Sequence, residues 1–191
     1  MDLSQQQLNA ATNQKSQDFM QGALDILPLS IAVLPWGILA GSVAIDAGLT
    51  IPQAVAMSAV VFAGAAQLVS LGMWSADATA ITIAITVFFL TSQHFIYALT
   101  LRKDISVLAS YYRIPLGFLL TDELFAVAMQ KSQRRPYYLL GAGLSFYLAW
   151  VLFSVLGIYL ASTIPNLSSL HLDFSIVAVL VAIIVSFISV H

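Results

Sequence analysis

The sequence contains no cysteine and few charged residues. None of its 191 residues is cysteine, which excludes disulfides, thiolate nucleophiles and zinc or iron–sulfur sites built on cysteine. Charged residues make up 8% of the chain and hydrophobic residues 60%, against roughly a quarter and a half in soluble domains. This composition excludes an ordinary soluble globule and predicts a protein that lies in a lipid bilayer.

Positive charge is also scarce. Seven Lys/Arg stand against nine Asp/Glu, so the net charge is -2, and a nucleic-acid backbone is not an expected partner. The three histidines form no i, i+4 pair, so we expect no metal site. The chain has neither a nucleotide-binding P-loop nor a Gly-x-Ser-x-Gly elbow. We therefore expect no cofactor and no enzymatic activity.

Apolar segments occupy most of the chain after residue 22. A membrane span needs about 20 apolar residues. Segments that reach or approach this length cover residues 26–45, 52–74, 79–101, 139–161 and 174–191. The last segment is still apolar where the sequence stops, which indicates either a truncated C-terminus or a span that ends there. We predict a transmembrane domain over residues 23–191 and a polar, flexible N-terminal tail over residues 1–22.

A sixth apolar segment, residues 114–130, is too short and too polar for a plain span. It opens with Pro115 and Gly117 and carries Thr121, Asp122 and Glu123 in its middle. We predict an all-α polytopic bundle of about six segments in which this one is broken near Pro115 or re-entrant. Thr121 or Asp122 could then cap a half-helix over residues 123–130. If the segment is re-entrant, six of the seven basic residues share one side of the membrane.

The six segments also permit a 3+3 repeat. Helix-breaking residues occur in the first member of each group of three, at Pro28 and Pro35 and again at Pro115. Interrupted helices in corresponding places are typical of transporter binding sites. The alternative is that any six-helix chain divides into two threes.

Asp122 and Glu123 need an explanation, because a carboxylate near the bilayer centre costs about 2.5 to 3.5 kcal/mol. No Lys or Arg lies inside an apolar segment to pair with them. They must face water, be protonated, cap a helix or meet a partner. A desolvated carboxyl at this position could exchange a proton during transport.

Other polar side chains interrupt the apolar segments. Gln67 follows a run of small residues, and its amide needs partners in hydrocarbon. His94 follows three further polar residues, and Tyr97 lies about one turn beyond it. Packing roles are the alternative for His94. Close helix packing is the expected role of the small residues around Gly37 and Gly141.

Four motifs resemble those of the AzlC family. They are Leu34-Pro-Trp36-Gly, Phe62-Ala-Gly-Ala-Ala-Gln67, Gln93-His94-Phe-Ile-Tyr97 and Leu120-Thr-Asp-Glu123-Leu-Phe. The resemblance covers the chain from about residue 20. It implies the large subunit of a two-component exporter of branched-chain amino acids, which works with a small AzlD-like membrane subunit in the bacterial inner membrane. One departure is Gln93, because family members usually have arginine there.

The sequence is compatible with two functions. The first is a multi-pass secondary exporter of branched-chain or similar neutral amino acids. Its candidate substrate-binding residues are Trp36, Phe62, Gln67, His94, Tyr97, Thr121, Asp122 and Glu123. The second is a membrane assembly subunit that transports nothing and whose buried acids pair with a partner.

Overall fold

The computed structural model describes residues 3–131 and 134–163, and over these ranges the chain is helical with no strand. This confirms the predicted all-α fold class with broken helices. The helices are α1 Leu3–Asp25, α2 Leu27–Ala32, α3 Leu34–Asp46, α4 Ile51–Val61, α5 Gly64–Ser75, α6 Ala80–Thr91, α7 Gln93–Ile105, α8 Ser110–Phe118, α9 Asp122–Met129 and α10 Pro136–Thr163.

Most of the predicted spans are interrupted. Within the described ranges, α10 alone is long and apolar enough to cross a membrane as one helix. Two more spans result if Thr12–Ala32 with Leu34–Asp46, and α6 with α7, each count as one bent span. The predicted segment 174–191 lies outside the described residues.

Local chemistry accounts for the break between α6 and α7. The Thr91 hydroxyl donates to the Val87 carbonyl at 2.8 Å, and the Ser92 hydroxyl donates to the Phe89 carbonyl at 2.7 Å. Hydroxyls that bond to the preceding turn compete with the backbone ladder and bend helices. Segment 79–101 is therefore two helices rather than one.

The helices form two compact units. Unit 1 contains α1, α2, the second half of α6, α7, α8, α9 and the first half of α10. Unit 2 contains α3, α4, α5, the first half of α6 and the second half of α10.

In unit 2, α3 packs against α10 with the two backbones in direct contact. A Cβ added at Gly41 would lie 2.0 Å from the Ser154 carbonyl oxygen, and one at Gly157 would lie 2.1 Å from that of Ile38. Only glycine permits this approach, and small residues at such crossings are typical of membrane helices. The packing role expected for the small residues around Gly37 is confirmed. A small apolar core beside this crossing contains Ala44, Ala54, Leu71 and Ile158.

The predicted continuous span over residues 52–74 is wrong, because α4 ends at Val61 and α5 begins at Gly64. Phe62 adopts the left-handed conformation, with φ 38° and ψ 44°, which costs a non-glycine residue about 1 to 2 kcal/mol. The Trp150 indole donates to the Ser58 carbonyl at 3.2 Å. The indole thus supplies a partner for a carbonyl in the last turn of α4.

In unit 1, residues 3–22 of the stretch predicted as a flexible tail lie in helix α1. Tertiary contacts hold the second half of this helix against the start of α10. Asp18 pairs with Arg135 at 2.8 Å, and a Cβ at Gly22 would lie 2.0 Å from the Tyr138 carbonyl oxygen in α10. Gly141 approaches the Phe19 backbone in the same way, so the helix-packing role predicted for Gly141 is confirmed.

The break in segment 114–130 is confirmed, but it lies after the predicted position. Pro115 is inside α8, and the helix ends at Phe118. The chain restarts at Asp122, where the Thr121 hydroxyl accepts from the Leu124 amide at 3.3 Å. The break therefore forms where a side chain can satisfy the first amides of the next helix. Of the two capping residues considered, Thr121 is the N-cap.

Candidate functional site

Helices α7 and α9 bring several polar side chains together in unit 1. We call Gln93, His94, Tyr97, Asp122 and Glu123 the acid site. The Gln93 side-chain amide donates to both carboxylate oxygens of Asp122, at 3.2 Å each. Asp122 is exposed and Glu123 is half-buried. The start of α7 and the start of α9 thus meet, and each of these helices begins directly after a helix break.

His94 and Tyr97 complete the acid site from α7. His94 Nδ1 lies 2.9 Å from the Thr91 carbonyl oxygen, so that this nitrogen carries the proton when the imidazole is neutral. The ring is within electrostatic range of Glu123. Tyr97 meets the His94 ring edge-on at 5.6 Å between ring centroids, and it lies close enough to Asp122 for its hydroxyl to interact with that carboxylate.

An aromatic pair borders the acid site. Tyr97 stacks on Phe125, with ring centroids 4.3 Å apart and planes 18° apart. Phe125 lies one turn after Thr121 on α9, and its amide bonds to the Thr121 carbonyl at 2.9 Å. Sequence reasoning did not select Phe125, although its spacing from the cap places it beside the acids. The pair gives the site an apolar wall next to its carboxylates.

No cation balances the acid site within the described part of the chain. The ion pairs found there are Asp25–Lys131, Asp104–Arg134 and Asp18–Arg135. Asp122 receives only neutral donors from the described residues, and a hydrogen bond from an amide leaves its charge in place. The arrangement can therefore accept a cationic group, such as an ammonium, from a ligand or a partner. No group of three His, Asp or Glu residues that could hold a metal is found among the described residues.

A second polar group lies in unit 2, beside the α4–α5 break. Gln67 is fully buried and donates from Nε2 to the Ser58 hydroxyl at 2.9 Å. Its Oε1 has no hydrogen-bond partner among the described residues, and neither does the buried Ser154 hydroxyl. The neighbouring-helix partner expected for Gln67 is thus present for its Nε2 and absent for its Oε1 among the described residues. Phe62 is buried in the same break.

The eight predicted site residues divide between the units. His94, Tyr97, Thr121, Asp122 and Glu123 meet in unit 1, where Thr121 caps α9. Phe62 and Gln67 lie at the α4–α5 break of unit 2. Trp36 is half-buried on α3, also in unit 2.

Comparisons with known proteins identify a family. The family model "AzlC protein" matches residues 28–164. The inner membrane protein YgaZ of Escherichia coli (strain K12) is 31% identical over 153 residues, which cover 77% of this chain and 62% of YgaZ. An uncharacterized membrane protein of Archaeoglobus fulgidus is 31% identical over 151 residues, covering 78% of this chain and 66% of the relative.

This chain therefore spans less than two thirds of the length of these two relatives. No solved structure matches it. Both relatives are named as membrane proteins, which agrees with the apolar helices described above. The family match extends over both the acid site and Gln67, and the chain belongs to the AzlC family of membrane proteins.

Proposed function

We propose that this chain is the large subunit of a secondary exporter of branched-chain or similar neutral amino acids. The observation that carries the proposal is the acid site, where two adjacent carboxyls at a helix break have no cationic partner in the described residues. Charged groups in membrane segments are costly and mark substrate or ion pathways. Membership of the AzlC family supports the same function.

In this proposal Asp122 binds the ammonium of the amino acid. Gln93 holds the carboxylate through both oxygens without neutralising it, so the negative charge remains available to the substrate. Glu123, half-buried beside His94, is the candidate for exchanging a proton during transport, because carboxyls inside membrane segments often mark proton pathways.

The apolar side chain of the substrate needs an apolar surface. The Tyr97–Phe125 stack borders the acids, and aromatic faces with a few fixed polar groups are typical of small-molecule sites. In unit 2, Gln67 is the candidate for a polar contact because its Oε1 has no partner in the described residues. Phe62 and Trp36 are the apolar candidates there.

We further propose that the chain is a multi-pass protein of the bacterial inner membrane and that a small AzlD-like subunit assembles with it. The exposed apolar side chains of α6 and α7 support a lipid or protein neighbour. They include Ile81, Phe88, Phe89, Ile96 and Leu99.

The proposal is tested with Asp122→Asn in an efflux assay. Cells or vesicles loaded with labelled leucine should lose export when Asp122 is neutral, while the amount of protein in the membrane stays unchanged. Asp77→Asn is the matched control, because Asp77 lies in a left-handed turn at φ 56° that asparagine tolerates. Export by Asp122→Asn at the rate of Asp77→Asn would contradict the proposed role of the carboxylate.

A second variant separates transport from assembly. Glu123→Gln should leave co-purification of any small subunit unchanged if the acid serves transport. Loss of the small subunit in Glu123→Gln, with substrate binding retained by the remaining protein, would instead favour the assembly function.

A further inference from the structure

The two ends of the α8–α9 segment lie together in unit 1. The Arg134 guanidinium, after α9, pairs with Asp104 at the end of α7 at 2.5 Å. The Tyr112 hydroxyl, in the first turn of α8, donates to the Tyr137 hydroxyl at the start of α10 at 2.8 Å. The start of α8 and the end of α9 therefore lie close together, and the two helices form a hairpin. We call the region around Tyr112 and Arg134 the open end of the hairpin, and residues 119–122 its turn.

Helix lengths give the depth of the hairpin. Helix α8 has nine residues and α9 has eight, so at 1.5 Å per residue each reaches roughly 12 to 14 Å. The hydrocarbon core of a bilayer is about 30 Å thick. A hairpin of this length turns near the middle of the membrane, and its turn contains Thr121 and Asp122.

Helix α7 gives an independent measure of the same depth. Eleven residues separate Gln93 from Asp104 along α7, which corresponds to about 16 Å. Asp104 is joined to the open end of the hairpin through Arg134, and Gln93 is joined to its turn through Asp122. Both routes place the acid site about half a membrane away from the Asp104–Arg134 pair.

Every basic residue of the chain lies in unit 1, and several of them meet at the open end of the hairpin. Lys131 pairs with Asp25 at 2.7 Å, Arg135 pairs with Asp18 at 2.8 Å, and Lys15 lies 5.4 Å from the centroid of the Tyr137 ring. The remaining basic residues are exposed and take part in no ion pair within the described ranges. They are Arg102, Lys103 and Arg113.

We propose that this basic end rests on the anionic lipid surface of the cytoplasmic leaflet, and that α8–α9 is a re-entrant hairpin which enters the membrane from that side. Cytoplasmic segments near a membrane carry the excess of Lys and Arg, and tyrosines concentrate at the interface. Arg102, Lys103 and Arg113 have charge left for phosphate headgroups. Tyr111 and Tyr112 lie beside them in α8, with ring centroids 4.2 Å apart.

This placement has a consequence for the acid site. Its carboxylates lie near the middle of the membrane, on a hairpin that enters and leaves the membrane through the cytoplasmic leaflet. A substrate that reaches the turn along the hairpin comes from the cytoplasm, as an exporter requires.

Single-cysteine labelling tests the hairpin, because the native chain has no cysteine. Ser106→Cys lies before α8 and Gln130→Cys lies after α9, and both positions are exposed. In inside-out membrane vesicles both should react with a membrane-impermeant maleimide, and in right-side-out vesicles neither should react. The cysteine-free chain is the control for background labelling.

Two labelling outcomes overturn the proposal. Reaction of the two positions from opposite sides shows that α8–α9 crosses the membrane. Reaction of both from the outside shows a hairpin that enters from the other leaflet. The labelling of these cysteines does not depend on transport, so the hairpin and the proposed function can be disproved separately.

Lipid binding is tested on the purified full chain in bilayers of stated composition. Phosphatidylglycerol added to phosphatidylcholine bilayers should raise the unfolding temperature, and added salt should weaken the effect. The triple variant Arg102→Gln/Lys103→Gln/Arg113→Gln should lose this response. The charge-preserving triple variant Arg102→Lys/Lys103→Arg/Arg113→Lys should keep it. If phosphatidylglycerol raises the unfolding temperature of the neutral and the charge-preserving triple variants equally, the proposal that the basic end binds anionic lipid is wrong.

Discussion

The side-chain amide of Gln93 donates to both carboxylate oxygens of Asp122, at 3.2 Å each. An amide can orient a carboxylate but carries no charge. An arginine at this position, as the AzlC resemblance leads one to expect, would form an ion pair. In this chain Gln93 therefore orients the Asp122 carboxylate and leaves its negative charge available to another group.

Gln93→Leu should weaken leucine transport by raising KM about tenfold. A hydrogen bond to a charged group contributes about 1.5 kcal/mol, and 1.4 kcal/mol corresponds to tenfold in binding. Initial rates of efflux over a range of internal leucine concentrations measure the change. Gln130→Leu, at an exposed position after α9, is the control. An unchanged KM in Gln93→Leu would show that Asp122 does not need this donor.

Thr121→Val should destabilise the protein by about 1 kcal/mol, because it removes the hydroxyl that accepts from the Leu124 amide. Thr121→Ser keeps a hydroxyl and should restore most of the stability. Thermal unfolding in detergent measures both variants. Equal melting temperatures for the valine and serine variants would show that the cap does not stabilise the break.

Gly41→Ala should be destabilising by about 1 to 3 kcal/mol, because its methyl group would lie 2.0 Å from the Ser154 carbonyl oxygen. Gly72→Ala is the matched control in α5, where nothing lies within 4 Å of the added methyl group. It should be neutral or stabilising by up to about 1 kcal/mol, since alanine favours helix more than glycine does. Gly41→Ala should therefore unfold at a lower temperature than Gly72→Ala, and the opposite order would contradict the prediction.

Gln67→Leu should separate stability from activity. It removes a buried oxygen that has no partner in the described residues, and the Ser58 hydroxyl can then bond to its own helix. Stability should be unchanged or raised by up to about 1 kcal/mol, while leucine efflux falls. A variant that unfolds at lower temperature and still exports leucine would show that Gln67 is a packing residue.

Sequence reasoning reached the fold class and part of the site for identifiable reasons. The apolar segments and scarce charge are sufficient for a membrane helix fold. Thr121 followed by two acids is a recognisable helix start, and the observed N-cap is one of the two residues, Thr121 and Asp122, that this pattern offered. The small residues around Gly37, which include Gly41, and those around Gly141 are predicted to serve helix packing, and the structure places Gly41 and Gly141 against neighbouring backbones.

The differences come from contacts between distant residues. Pro115 was expected to end its helix, yet α8 continues through it to Phe118. The break between α4 and α5 was missed because its stabilising partner, the Trp150 indole, is 92 residues away in the chain. The contact between Gln93 and Asp122 was missed for the same reason, because these residues are 29 positions apart in the chain. Periodicity and propensity describe neighbours along the chain, and these pairs are not neighbours.

Binding of leucine to the purified full chain tests the central claim, that Asp122 holds the substrate ammonium. Isothermal titration should show binding by the native chain and by Asp77→Asn, and at least tenfold weaker binding by Asp122→Asn. The keto acid with the leucine side chain, which lacks the ammonium, should bind weakly to all three. Equal affinity of Asp122→Asn and Asp77→Asn for leucine, or strong binding of the keto acid, would contradict the account.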